Sequence, residues 1–152
     1  MSRGSYYWHF ADVPTFHRAV LARWEILAVD EPLARAERAR VGETASLDGL
    51  VDVAFRAPRD LERAVHGWAA VSPQAAEVVA AVNRRRVSIL TTTFRRSGLA
   101  PPLDAEASAV VLYGTFLGRV LCADFPLDNA RLAQLHARFG MQSRSSASRR
   151  ER

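Results

Sequence analysis

The sequence predicts an all-α fold, a bundle of about six helices with a short helical remnant ahead of the first. Hydrophobic residues make up 49% of the 152 positions, enough for one domain with a core, and they recur at spacings of three and four. Alanine dominates the small residues, whereas isoleucine occurs only at Ile26 and Ile89. That balance favours helices, because alanine loses no side-chain entropy in a helix and strands draw on β-branched residues. No alternating run bounded by turn residues points to a strand, and no internal repeat is present.

The elements follow in order. Asp12, then Val13 and Pro14, reads as a helix start, an N-cap acid with proline in the first turn. Phe16, Val20, Trp24 and Leu27 form its apolar stripe. Residues 31–42 carry alanine and charge with little apolar pattern, and read as an exposed helical tail or a loop. A short helix holds Leu47, Leu50, Val51, Ala54 and Phe55, and Pro58 ends it. Asp60 opens the next, with Leu61, Ala64, Val65, Trp68 and Ala69 on one face. After Ser72 a long helix runs from Pro73 to about Arg96, stopped by Gly98. Asp104 caps another, striped by Ala109, Leu112, Tyr113, Phe116, Val120 and Leu121. Pro126 breaks that helix, and a last one carries Leu132, Leu135 and Phe139. From Gly140 the serine–arginine tail has no core-forming residues and reads as disordered.

Charge and chemistry narrow the function classes. The formal charge is +5, and Arg144, Arg149, Arg150 and Arg152 against Glu151 place +3 of it after Gly140. All 21 basic residues are arginine, so charge alone is weak support for nucleic-acid binding. Cys122 is the only cysteine, which rules out an intrachain disulfide. The opening residues lack a signal-peptide pattern. The longest uncharged stretch, Ala107 to Gly118, falls short of the ~20 residues needed to cross a bilayer. A cytoplasmic protein with no membrane association is expected. His9, His17, His66 and His136 show no metal spacing, and neither a nucleophile elbow nor a phosphate loop appears. The sequence predicts no enzyme, no cofactor and no metal.

The opening residues Ser2-Arg3-Gly4-Ser5-Tyr6-Tyr7-Trp8-His9-Phe10 resemble the end of the TetR-family helix-turn-helix, which reads Ser/Thr-x-Gly-Ser-aromatic-Tyr-x-His-Phe. The helix ending Ala19-Val20-Leu21-Ala22-Arg23-Trp24-Glu25 is also similar to that family. So are the stretch Leu61 to Ala70 with Trp68, the run Val82-Asn83-Arg84-Arg85-Arg86, and Leu112-Tyr113-Gly114 with Gly118. The resemblance covers residues 2 to about 139. It implies a helix-turn-helix remnant at 1–11, a ligand-binding and dimerisation domain at 12–139, and a basic tail at 140–152. Under it, Ser2, Arg3, Gly4, Ser5, Tyr7 and His9 are DNA-binding residues: Ser2 caps a recognition helix, Gly4 allows close backbone approach, Tyr7 and His9 contact phosphates, and Arg3 reads a base edge. On the residues alone, the same segment reads as an aromatic plug against the first helix.

Two departures qualify DNA binding. The family's first two helices would lie ahead of Met1, and Val13 stands where a basic phosphate contact is usual. This chain by itself is therefore expected not to bind operator DNA selectively, since a lone recognition helix is too short to hold its geometry.

Trp24, Phe55, Trp68 and Phe94 occupy the apolar faces of four helices, either as core or around a cavity. Phe55, Trp68, Asn83 and Arg86 are the expected ligand-binding set. Arg86 stands in phase with Val78 and Val82, and three fates are open to it: an anionic ligand, pairing with Glu77 or Asp52, or turning outward. Arg84-Arg85-Arg86 points in three directions and makes no single phosphate face.

Gly114 and Gly118 share a face of a long helix, where each glycine costs ~1 kcal/mol relative to alanine. Close helix packing compensates, within the monomer or across a dimer. Under the resemblance Tyr113, Gly114, Phe116, Leu117, Gly118, Leu121, Leu132, Leu135 and Phe139 form a homodimer interface. The function expected is a ligand-responsive TetR-type regulator, a repressor with an unknown small-molecule effector, its DNA reader largely missing from this chain. The alternative is a ligand-binding or interaction dimer that has lost DNA binding.

Overall fold

The computed structural model describes residues 12–38, 47–56, 59–97 and 104–122, with residues 130, 131 and 134 beyond them. Helix α1 spans Val13–Glu25 and passes through a π-helical segment, Ile26–Asp30, directly into α2, Glu31–Arg38. Then come α3 (Leu47–Arg56), α4 (Arg59–Ala69), α5 (Pro73–Ser97) and α6 (Ala105–Leu121). Since α1, the π segment and α2 are continuous, the described residues make five helical rods, and no strand is found among them. The all-α expectation holds. Of the sixth expected helix only residues 130, 131 and 134 are described, and they are helical; Leu132, Leu135 and Phe139 lie outside the described residues, as do 1–11 and 140–152.

The ends of the rods follow from local chemistry. The Asp12 carboxylate accepts from the Thr15 N–H at 2.7 Å, with Pro14 in the first turn, and Asp104 accepts from the Ala107 N–H at 2.7 Å. Each aspartate satisfies one of the donors a helix start leaves open. The Ser72 hydroxyl accepts from the Ala75 N–H at 3.4 Å at the head of α5.

Residues 31–38 depart from the exposed tail or loop expected of them. They are helical, and Ala36 is buried, small enough for α3 to pack closely on α2. The π segment has a cause in the sequence. Pro32 brings no N–H, so the Ala28 carbonyl lacks the partner that an α-helix would give it at i+4. The hydrogen bonding shifts register here, with the Glu31 N–H reaching back to the Ile26 carbonyl.

Helix α5 is the axis of the bundle, touching α1, the π segment, α3, α4 and α6. Its first half serves one core, in which Val79 and Val82 meet Leu21, Trp24, Ala28, Val29 and Val65. Its second half serves another, in which Phe94 meets Leu47, Val51, Ala109, Tyr113, Phe116 and Val120. Between the two halves comes Arg86.

Two expected stripes are corrected. On α1 the buried residues are Leu21 and Trp24, while Phe16 and Val20 are only half-buried. On α4 Leu61 is exposed and Glu62 is buried in its place, 6% exposed. Hydrophobicity alone favours Leu61 on this face, whereas packing turns the Glu62 carboxylate inward.

Phe94 is 1% exposed and Val71 is 83% exposed, which sets a direct contrast. Phe94→Ala should cost about 3–5 kcal/mol of stability in urea unfolding, and Val71→Ala less than about 0.5 kcal/mol.

Candidate ligand site

Arg86 projects from α5 to the seam between the two cores, and every edge of its guanidinium is occupied. Nε and Nη2 donate to the Ala28 carbonyl at 3.1 and 3.0 Å. Nη1 donates to Glu62 Oε2 at 3.2 Å and Nη2 to Glu62 Oε1, a bidentate pair. Nη1 also donates to the Tyr113 hydroxyl at 3.4 Å, and that hydroxyl donates onward to Asn83 Oδ1 at 2.7 Å. These five bonds match the five N–H donors an arginine possesses. The faces are covered too, since the guanidinium carbon lies 5.9 Å from the Trp24 ring centre and 5.3 Å from that of Phe116.

Titration follows from this enclosure. Burial works against the Arg86 charge, but the hydrogen bonds and charge of Glu62, with Tyr113, outweigh it and raise the guanidinium above its already high value. Burial pushes the Tyr113 phenol up by more than the Arg86 charge pulls it down. His66, one turn along α4 with Nε2 at 3.7 Å from Glu62, is pushed below its ordinary value, first by burial, against the pull of Glu62 and with the repulsion of Arg86. Its Nε2 and the Trp24 Nε1 are buried with no hydrogen-bond partner among the described residues.

Beside this cluster lies a cavity of about 90 Å³. The first rod lines it with Ala28, Val29, Pro32 and Leu33, α3 with Leu50, Val51 and Ala54, and α5 and α6 with Ile89, Leu90, Leu112 and Phe116. The polar members are Glu62, Arg86 and Tyr113. A larger, polar depression of about 480 Å³ lies between α5 and α6, lined by Asn83, Arg84, Ser88, Arg95 and Glu106 among others, and Tyr113 borders both.

The expected ligand set separates accordingly. Arg86 lines the cavity. Asn83 is the far end of the Tyr113 chain and faces the polar depression. Trp68 is half-buried and packs edge-on against His17 at 4.8 Å, away from the cavity, because α4 turns Glu62 and Val65 inward instead. Phe55 belongs to α3, but its side chain lies outside the described residues. Neither Glu77 nor Asp52 is the Arg86 partner; Glu62 is. Glu62 was legible only as a carboxylate in helical phase with Val65 and Ala69, and Pro32 only as a proline inside a helical pattern.

The expected dimer face also divides. Tyr113 and Phe116 are buried inside the monomer, stacked at 5.9 Å, so neither is free to meet a second subunit. Gly114 and Leu121 are exposed, and Leu117 and Gly118 half-buried. Val110 and Val111, absent from the expected face, are exposed with them. Leu132, Leu135 and Phe139 lie outside the described residues, and so do Ser2, Arg3, Gly4, Ser5, Tyr7 and His9 of the opening motif. No group of side chains among the described residues is arranged to hold a metal ion, and no described helix is long and apolar enough to cross a membrane.

No protein-family model, no curated protein and no solved structure matches this chain.

Two outcomes test the cluster. Arg86→Met strands a buried carboxylate and Glu62→Leu a buried guanidinium, each costing about 3–5 kcal/mol, whereas the double variant should lose less than either single one. Chemical unfolding of the four proteins closes that cycle. The second concerns pH. His66 titrates lower in the folded state than in the unfolded chain, where it titrates near about 6.5. As pH falls the unfolded chain takes up the proton first. The stability His66 confers is therefore complete above that value and is lost as pH falls towards the folded value. Between pH 7.5 and 5.5 the wild type should lose more stability than His66→Asn, measured in urea.

Proposed function

We propose that the chain is a ligand-responsive transcriptional regulator of the TetR type, with residues 12–139 as its ligand-binding and dimerisation unit. The observation that carries this reading is the motif Ser2 to Phe10. In a helix-turn-helix, phosphate contacts from residues like Tyr7 and His9 would fix the register while Arg3 reads a base edge. The all-α bundle and its apolar cavity agree with it.

The same arrangement suggests a route for regulation. One wall of the cavity is the π segment and the head of α2, continuous with α1, which begins just after the motif. A ligand that binds one position of this rod better than another shifts the population towards that position. In a dimer the shift changes the spacing of the two recognition helices. For the dimer itself, the outward stripe of Val110, Gly114 and Leu121 on α6 is the natural contact.

The test has two arms. Fluorescence anisotropy at physiological salt should show roughly 10³-fold or stronger preference for the gene's own upstream DNA over random DNA when the family's two preceding helices are joined to the chain, and no such preference for residues 1–152 alone. Arg3→Ala should weaken that preference by about 1–3 kcal/mol. Absence of any preference in the extended chain favours a dimer without DNA binding. In the second arm, a side chain built at Gly114 meets nothing within 4 Å among the described residues, so Gly114→Leu should leave the helical content intact. Light scattering at micromolar concentration should show a dimer for the wild type and a monomer for the variant.

A further inference from the structure

We infer that the cavity beside Arg86 is selective for an uncharged, apolar ligand, a single ring or a short alkyl arm, and rejects carboxylates despite the arginine in its wall. The inference rests on the reading of this cavity as a ligand site and adds the class of ligand it takes.

An arginine lining a cavity invites an anion, because its planar fork matches a carboxylate. Here the fork is already filled. Glu62 takes one edge bidentately, the Ala28 carbonyl takes Nε and the second Nη2 donor, and the Tyr113 hydroxyl takes the last. Trp24 and Phe116 cover the faces. The charge is balanced within the wall, so the cavity offers an incoming anion neither a free donor nor a net positive field. The Tyr113 hydroxyl proton is committed to Asn83. A carboxylate entering the cavity would lose its water and gain no hydrogen bond, an unfavourable exchange. An uncharged apolar molecule loses nothing of that kind and gains contact with Val29, Leu50, Val51, Ile89, Leu90 and Leu112.

Size limits the occupant further. The volume of about 90 Å³ is smaller than the roughly 150 Å³ apolar cavity known to admit benzene. A single ring therefore needs some yielding of the wall, and a fused polycycle does not fit inside.

Toluene and benzoate make a matched pair, the same ring with a methyl or a carboxylate, and thermal unfolding at pH 8 reads their binding. The wild type should be stabilised by several degrees in near-saturating toluene and unmoved by benzoate, which should bind at least roughly 100-fold more weakly. Leu112→Trp, which fills the cavity, should abolish the toluene shift. Glu62→Gln strips the countercharge from Arg86 and should create a benzoate shift absent from the wild type. If that variant does not fold, the wild-type pair and Leu112→Trp decide alone. Benzoate stabilising the wild type as much as toluene overturns the inference and leaves the ligand site standing. If neither molecule shifts the wild type, the cavity takes no ligand of either kind, and the ligand-binding reading falls with the inference.

Discussion

Arg86 lies where the two cores meet, and a charge in that position sets conditions on everything around it. Moving an ion of this size out of water costs several kcal/mol even after relaxation, and only close, well-aligned partners offset it. The bundle meets those conditions from four elements: a carboxylate from α4, a carbonyl from the π segment, a hydroxyl from α6 and aromatic faces from α1 and α6. Each element is held where it is partly because Arg86 needs its contribution there. An apolar side chain at this position would pack in many arrangements, whereas five directed bonds accept one.

Several local oddities follow from that single requirement. A carbonyl with two lone pairs to offer must come from a helix whose own ladder is interrupted, and Pro32 interrupts it four residues after Ala28. A carboxylate must turn into the core, so Glu62 is buried while Leu61 beside it is exposed. Tyr113 must accept from Arg86 and donate to Asn83, which ties α6 to α5 on both sides of the guanidinium. The cavity is then the space left where the apolar residues of the first rod, α3, α5 and α6 stop short of this polar knot. Such concave sites, mostly apolar with a few fixed polar groups, are where small molecules bind.

The caps at Asp12 and Asp104, the span of α5 and the inward run Ala109, Tyr113, Phe116 and Val120 were legible in the sequence, because capping and helical period act over a few residues. The partner of Arg86 was not. Glu62 is 24 positions away, and sequence offers no measure of which carboxylate a long-range packing will bring near. Glu77 and Asp52 looked as good. The helix at residues 31–38 is illegible in the sequence because its buried residue is a single alanine, Ala36, which periodicity barely registers. For Tyr113 and Phe116, buried within the chain, a stripe on a helix says which residues share a face, and not which neighbour that face meets.

Arg86 is satisfied by its own chain. Proton–nitrogen NMR of the guanidinium groups tests it most directly. Among the 21 arginines, Arg86, assigned by its loss in Arg86→Lys, should give distinct Nη protons whose rotation is frozen and whose exchange with water is slow at pH 8. An Arg86 guanidinium that rotates and exchanges as fast as the exposed Arg84 would contradict the account.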